Sequence, residues 1–289
     1  MAELTLFTLP KGFVDPHVSL TQRNALASWR ALAPAVEVIV MGEDPGVEEA
    51  ALAAGARYAG DVAKNEYGTP LLDSAFALAR DRSSAPMLCY VNGDIVLLGD
   101  FMAAVRRLPH DRDYLGIGRR WDTDVTEAVD FQDGGRALRE HALATGALDL
   151  GRGSDYFVFR RETDFGLPPF AVGRPGWDNW MIGRALELHM PLIDLTPSVL
   201  AIHQNHGYAH VAGSTGSWEG PEAARNRELA TGIERYTFNP YNATHLLTPS
   251  GLRRARSRRH LRARIEAFIT LRPVAAPLYR LIRLVKTRP

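Results

Sequence analysis

The sequence predicts an α/β protein with a mostly parallel, mixed sheet flanked by helices. Short apolar runs such as Leu4-Thr5-Leu6-Phe7-Thr8-Leu9 and Val36 to Met41 alternate with segments whose apolar residues recur at helical spacing. Gly and Pro punctuate the junctions, at Pro10-Lys11-Gly12, Gly42-Glu43-Asp44-Pro45-Gly46 and Gly55. Later strands are nearly continuously apolar, as expected of strands covered on both faces. Crossovers between such alternating elements are right-handed and give parallel neighbours.

In order, Leu4 to Leu9 is the first strand. Ser19 to Leu32 is a helix, with Leu20, Ala25, Leu26, Trp29 and Leu32 on its inner face. Val36 to Met41 is the second strand, Val47 to Ala54 a helix and Arg57-Tyr58-Ala59 a brief third strand. A loop from Asn65 to Pro70 leads into a helix from Leu71 to Arg80. The next run, Cys89-Tyr90-Val91-Asn92-Gly93-Asp94-Ile95-Val96-Leu97-Leu98, is apolar, breaks at three polar or flexible residues and resumes. It reads as a buried strand that delivers Asn92 and Asp94 to its carboxyl end, where open α/β sheets bind ligands. Phe101 to Leu108 is a helix, and Tyr114 to Gly118 a strand that turns polar at Arg119-Arg120-Trp121-Asp122. Thr123 to Gly151 is expected to be helical, most clearly from Ala137 to Ala147. Asp155 to Phe159 is a strand, Phe165 to Arg174 a Pro/Gly-rich loop and Asp178 to Leu188 a helix. Short strands follow at Pro191 to Leu195 and Val199 to His203, then a loop-rich stretch from Gly207 to Glu222.

At 289 residues the chain is long enough for one large domain. Its lone cysteine, Cys89, sits in an apolar strand, which excludes a disulfide framework and argues against a thiolate nucleophile; a cytoplasmic setting is expected. Met1 to Lys11 lack the basic region and long apolar core of a signal peptide, and no run reaches the ~20 apolar residues of a membrane span. The net charge of +1 hides an asymmetry: from Arg253 to Pro289 there are 12 Lys and Arg against one acid, Glu266, so the rest of the chain holds 22 bases and 32 acids. Leu261, Ile265, Phe268, Ile269, Leu278, Ile282 and Val285 recur there at helical spacing. Such a basic amphipathic segment suits an anionic membrane surface at the inner face of the membrane, or packing on the acidic body. With few aromatics and no nucleic-acid module, no nucleic-acid partner is expected.

Three stretches concentrate chemistry. The first is Asn92-Gly93-Asp94, whose bland reading is a turn after a strand. The second is Gly173-Arg174-Pro175-Gly176-Trp177-Asp178-Asn179-Trp180, where a Gly/Pro loop presents one acid at a helix start between two tryptophans. By residue type alone Asp178 is a helix N-cap. The third is Ala201-Ile202-His203-Gln204-Asn205-His206-Gly207-Tyr208-Ala209-His210, a strand end with three histidines and no zinc-type spacing.

In this order, the strand, helix and Asn-Gly-Asp pattern resembles the nucleotide-sugar half of GT-A glycosyltransferases, whose defining feature is an Asp-x-Asp motif. Asn92-Gly93-Asp94 matches with one departure: the first acid is an amide. The resemblance spans roughly residues 4 to 210. It implies a single domain over 1–250, with 1–108 the nucleotide-sugar half and 109–250 the acceptor half, followed by a basic helical tail over 251–289. It implies transfer of a sugar from a UDP- or GDP-sugar to a hydroxyl acceptor, with Mn²⁺ or Mg²⁺ as cofactor, and the basic tail suggests a lipid-linked glycan or polysaccharide as that acceptor. Asp94 would hold the metal and diphosphate, with His206 or His203 as the second ligand, and Asn92 would meet a ribose hydroxyl. Asp178 would deprotonate or orient the acceptor, with Asp155, at the start of its strand, also catalytic. Thr8, Leu9, Pro10, Glu43, Lys64, Asn65, Gly68, Thr69 and Gly93 would flank the nucleotide sugar, and Trp121, Trp177 and Trp180 the acceptor. The alternatives are a non-catalytic sugar- or lipid-binding protein of the same fold and a sugar nucleotidyltransferase, though only Pro10-Lys11-Gly12 stands where the latter needs a Gly-rich phosphate loop.

Overall fold

The structure, a computed structural model, describes residues 2–151, 153–205, 219–230 and 238–271. Its strands are β1 (Leu4–Thr8), β2 (Val36–Met41), β3 (Arg57–Ala59), β4 (Met87–Val91), β5 (Ile95–Val96), β6 (Leu115–Ile117), β7 (Arg120–Thr123), β8 (Ala147–Leu148), β9 (Tyr156–Arg160), β10 (Leu192–Asp194), β11 (Ala201–Gln204), β12 (His245–Thr248) and β13 (Gly251–Arg254). The helices are α1 (Pro16–Arg30), α2 (Val47–Ala53), α3 (Leu72–Arg82), α4 (Gly99–Val105), α5 (Arg136–Thr145), α6 (Trp177–Glu187), α7 (Pro221–Leu229) and α8 (Arg258–Thr270).

A nine-stranded sheet runs β13-β12-β10-β6-β9-β4-β1-β2-β3. Seven of its strands pair parallel with a neighbour, through β1 to β2, β2 to β3, β1 to β4, β6 to β10 and β10 to β12, while β9 runs antiparallel to both β4 and β6. This is the mixed sheet the sequence predicts. Its faces alternate along each strand: Cys89 and Val91 join Leu4, Leu6 and Trp29 in one core layer, and Leu88 and Tyr90 join Phe7, Phe76 and Phe159 in the other. Because β9 is inverted, its amino-terminal end meets the carboxyl ends of β1, β4 and β6. One rim therefore collects Pro10, Asn92, Gly118 and Asp155.

A second, four-stranded sheet, β5-β11-β7-β8, crosses this rim. The apolar run resuming after Asp94 belongs here rather than extending β4: Ile95 pairs with His203 in an antiparallel ladder, and His203 pairs with Asp122 in a parallel one. Helix α1 clamps the crossing, with Trp29 Nε1 donating to the Ile95 carbonyl at 2.9 Å and Ser28 Oγ accepting from the Leu97 amide at 3.2 Å.

Several sequence expectations are corrected. The polar stretch after β6 is strand β7, and of the helix expected over 123–151 only α5 forms, because Gly134-Gly135 and the Asp133 side-chain turn delay its start. The tail expected to begin at 251 starts with β13, which closes a hairpin with β12 at the edge of the main sheet; the helix begins at Arg258, capped by Ser257. Helix α7 starts at Pro221, in the last two residues of the stretch read as loop-rich, and continues beyond it to Leu229. Of the tail, residues 272–289 lie outside the described residues. Trp177 and Trp180 are only 6% and 5% exposed. Trp177 packs edge-on to Tyr90 at 4.9 Å and Trp180 against Phe170 at 5.5 Å, so both are core residues anchoring α6 rather than an exposed stacking platform.

Candidate active site

The chain after β4 turns sharply so that the Asn92 carbonyl accepts from the Ile95 amide at 3.2 Å. Gly93 makes this possible: a Cβ there would lie 3.2 Å from Gln22 Oε1 and 3.3 Å from Pro10 Cβ. Gln22 in turn brackets the loop after β1, accepting from the Lys11 amide at 2.7 Å and donating to the Lys11 carbonyl at 2.9 Å. Buried Gln204 donates to the carbonyls of Thr21 and Asp94, at 2.7 and 3.1 Å, and accepts from Asn24 Nδ2 at 2.9 Å. The backbone carrying Asp94 is thus fixed from α1 and from β11.

Four acidic residues, an arginine and a histidine gather around this turn. Asp94 Oδ2 lies 3.5 Å from His203 Nε2. On the far side of the imidazole, Nδ1 sits 2.9 Å from Asp122 Oδ1. Arg120 joins the neighbouring carboxylates, with Nε donating to Asp122 at 2.9 Å and Nη1 reaching both Asp155 oxygens at 3.1 Å. Asn92 Nδ2 donates to Asp155 Oδ1 at 2.8 Å, and its backbone amide to the Asp155 carbonyl at 2.9 Å. The amide at the first position of the Asp-x-Asp-like turn therefore has a physical reason. A carboxylate there would face the Asp155 carboxylate at hydrogen-bond distance.

The electrostatics follow from burial. Desolvation pushes Asp155 up, opposed by Arg120 and the Asn92 hydrogen bond and reinforced by the Asp94 charge. Desolvation works against the charge of Arg120, but Asp155, Asp122 and Asp94 raise its affinity for the proton. For His203 burial disfavours the cation, yet the bond to Asp94 outweighs it and raises the imidazole above its ordinary value.

Asp178 reaches the site from α6. Its helix is capped by Gly176, whose φ of 101° only glycine adopts comfortably, so Asp178 is in the first turn and not the N-cap. Burial raises its carboxyl to about 6, with the Asn179 backbone N–H lowering it and the Asp155 charge adding to the rise. Gly153 makes room for it: a Cβ there would stand 2.5 Å from Asp178 Oδ2.

The other expected site residues lie as follows. Thr8 is fully buried and Leu9 is 8% exposed at the end of β1, beside Pro10. Glu43 and Lys64 pair with each other at 2.7 Å. The Asn65 side chain holds its own loop, accepting from the amides of Tyr67 and Thr69 at 3.0 and 2.9 Å, and donates to Glu222 at 2.7 Å. Gly68 takes a φ of 81° in that loop. Trp121 is half-buried against a small apolar cluster under the second sheet. His206 lies outside the described residues. Sequence reading passes over Arg120 and Asp122. The available signal was their spacing of two on a strand, which puts both side chains on one face.

Asp94 and His203 form the donor pair that a divalent cation would find here. A carboxylate oxygen and an imidazole nitrogen aimed at the same space repel unless a proton or cation lies between them. Asp122, 2.9 Å from Nδ1, stands on the side where metal-binding histidines commonly have a carboxylate. The donor set fits Mn²⁺ or Mg²⁺. Among the described residues no group of three or more His, Cys, Asp or Glu is spaced to hold an ion alone, so further coordination would fall to ligand oxygens, as is usual for Mg²⁺ on phosphates.

No protein-family model and no curated protein matches the chain. Among solved structures, the chain is similar to glucosyl-3-phosphoglycerate synthase from Mycobacterium tuberculosis in complex with Mn²⁺, UDP and phosphoglyceric acid, at 15% identity and a TM-score of 0.48, covering 80% of each chain. The same synthase with Mg²⁺ and UDP gives 15% and 0.46, again over 80% of each chain. A structure described as a mycobacterial protein gives 17% and 0.47, over 80% of this chain and 76% of that one.

Proposed function

We propose that the protein is a nucleotide-sugar-dependent glycosyltransferase, moving a sugar from a UDP- or GDP-sugar to a hydroxyl acceptor. The observation that carries this is the Asp94–His203–Asp122 arrangement at the carboxyl rim of the sheet. It offers one carboxylate and one imidazole to a cation. Asp94 and His203 would hold Mn²⁺ or Mg²⁺, which when bound supplies neutralisation of the charge left on the departing diphosphate.

The chain's own groups divide the remaining work. Arg120, fixed by Asp155 and Asp122, keeps the four-acid rim from repelling an anionic donor. Asn92 holds Asp155 in place. Asp178, with its carboxyl at about 6, is ionised at neutral pH yet basic enough to take the acceptor hydroxyl proton. A groove of about 520 Å³ opens beside Asp122, lined also by Asp124, Glu127, His141 and Asn205. Carboxylates accept hydrogen bonds from sugar hydroxyls and repel phosphate, so this groove suits a neutral glycan, free or lipid-linked, as acceptor.

Calorimetric titration of UDP and GDP with and without Mn²⁺ tests the reading. One nucleotide is expected to bind at least about tenfold more tightly with the metal, and Asp94→Ala and His203→Ala to abolish that increment along with sugar-nucleotide hydrolysis. Metal-independent binding would leave a non-catalytic binding protein. Full turnover by Asp94→Ala with the correct donor would overturn the assignment.

A further inference from the structure

At the edge of the main sheet, the hairpin β12–β13 and helix α8 present a basic surface. Seven arginines fall between 253 and 264. Arg259 stacks on Tyr241 at 4.5 Å and donates to its hydroxyl at 2.8 Å, and Arg262 pairs with Glu266 of its own helix at 3.2 Å. Arg253, Arg254, Arg256 and Arg258 are exposed and meet no carboxylate at ion-pair distance among the described residues.

The same surface is apolar in its middle. Helix α8 buries His260 and Ala267 against the turn Pro240–Asn242, fastened by Asn242 Nδ2 to the Ala263 carbonyl at 2.9 Å. Its outer face carries Leu261 and Ile265 one turn apart, 43% and 60% exposed, and the neighbouring hairpin adds Leu252 at 41%. Basic side chains around exposed aliphatic ones, on a helix held rigidly by its other face, are what an interfacial helix requires.

We propose that this edge docks the protein on an anionic phospholipid surface. Leu252, Leu261 and Ile265 would enter the headgroup boundary while the exposed Arg253, Arg254, Arg256 and Arg258 meet lipid phosphates. Charge complementarity alone would also suit a nucleic acid, whose backbone gives the aliphatic side chains nothing to bury in. The pairing of free positive charge with exposed aliphatics favours the bilayer. The inference stands apart from the transferase reading, since Leu252, Leu261 and Ile265 have no assigned role in the catalytic site.

Co-sedimentation of the full chain with vesicles tests it. Phosphatidylcholine vesicles with about 30% phosphatidylglycerol should retain the protein at least about tenfold more tightly than pure phosphatidylcholine. Leu261→Ser with Ile265→Ser should weaken that binding by about tenfold or more while leaving the melting temperature and donor hydrolysis unchanged. Leu252→Ser, outside the helix, should weaken it in the same direction. Undiminished binding by these variants, no preference for the anionic vesicles, or tighter binding to duplex DNA than to vesicles at one ionic strength would each overturn the proposal. Vesicle binding by a chain that hydrolyses no sugar nucleotide supports the docking and counts only against the transferase reading.

Discussion

Asp178 is held where a proton acceptor is useful and a carboxylate is costly. With its carboxyl raised to about 6, it is protonated below that pH, and kcat/KM for transfer should fall about tenfold per pH unit on the acid side. The linkage to stability has the opposite sense. A folded-state value above the unfolded one means that the ionised side chain opposes folding above pH 6, and that this cost is relieved as pH falls from 6 towards 4. Asp178→Asn should therefore abolish transfer yet match or exceed the parent melting temperature at pH 8 by ~2–4 °C, measured by scanning calorimetry. A melting temperature well below the parent's would mean that the carboxylate is structural. At Asn92 the expectation runs against simple pattern matching. Asn92→Asp restores the acidic pattern but sets two carboxylates where one hydrogen bond of 2.8 Å now stands, and should cost about 1–3 kcal/mol in denaturant unfolding and weaken donor binding. Unchanged stability and turnover would show that the Asn92–Asp155 bond is dispensable.

At the scale of elements, the alternation of β1 to β4 with α1 to α3 was legible because each strand is short, apolar and closed by Gly or Pro, and because α1 carries a clear inner face ending in Trp29. Asn92 and Asp94 were legible because polar residues interrupting a buried strand stand out against their surroundings. What the sequence concealed was the change of sheet at Asp94. Ile95 to Leu98 looks like a continuation of β4, since apolarity does not tell which neighbours a strand will pair with. The partners of His203 were hidden for the same reason: Asp122 is 81 positions away and meets it only through ladder register. Trp177 and Trp180 misled because a Gly/Pro-rich flank reads as an exposed loop, whereas the two indoles are driven inward onto Tyr90, Phe157 and Phe170. The hairpin β12–β13 was masked by its arginines, which as an edge strand it carries on a solvent-facing border.

Over the whole molecule, charge and burial are segregated. Asp94, Asp122, Asp155 and Asp178 gather at the carboxyl rim of the central strands, Arg253 and Arg254 lie on the β13 edge of the sheet order, and among the described residues no helix is long and apolar enough to cross a membrane. The middle of that order is the driest part. Cys89 lies there on β4 between β1 and β9, fully buried, with desolvation holding its thiol well above the ordinary range. As the chain's lone thiol it is a clock for the opening of the central strand, since a disulfide reagent in solution reaches it only when β4 parts from a neighbour. If nucleotide and Mn²⁺ bind only the closed sheet, labelling at a hundred times the dissociation constant should slow about a hundredfold. An unaltered rate would place the opening that exposes Cys89 outside the cooperative unit that holds the ligand. One sulfur atom thus reports, without any added probe, whether the rim and the sheet beneath it come apart as one.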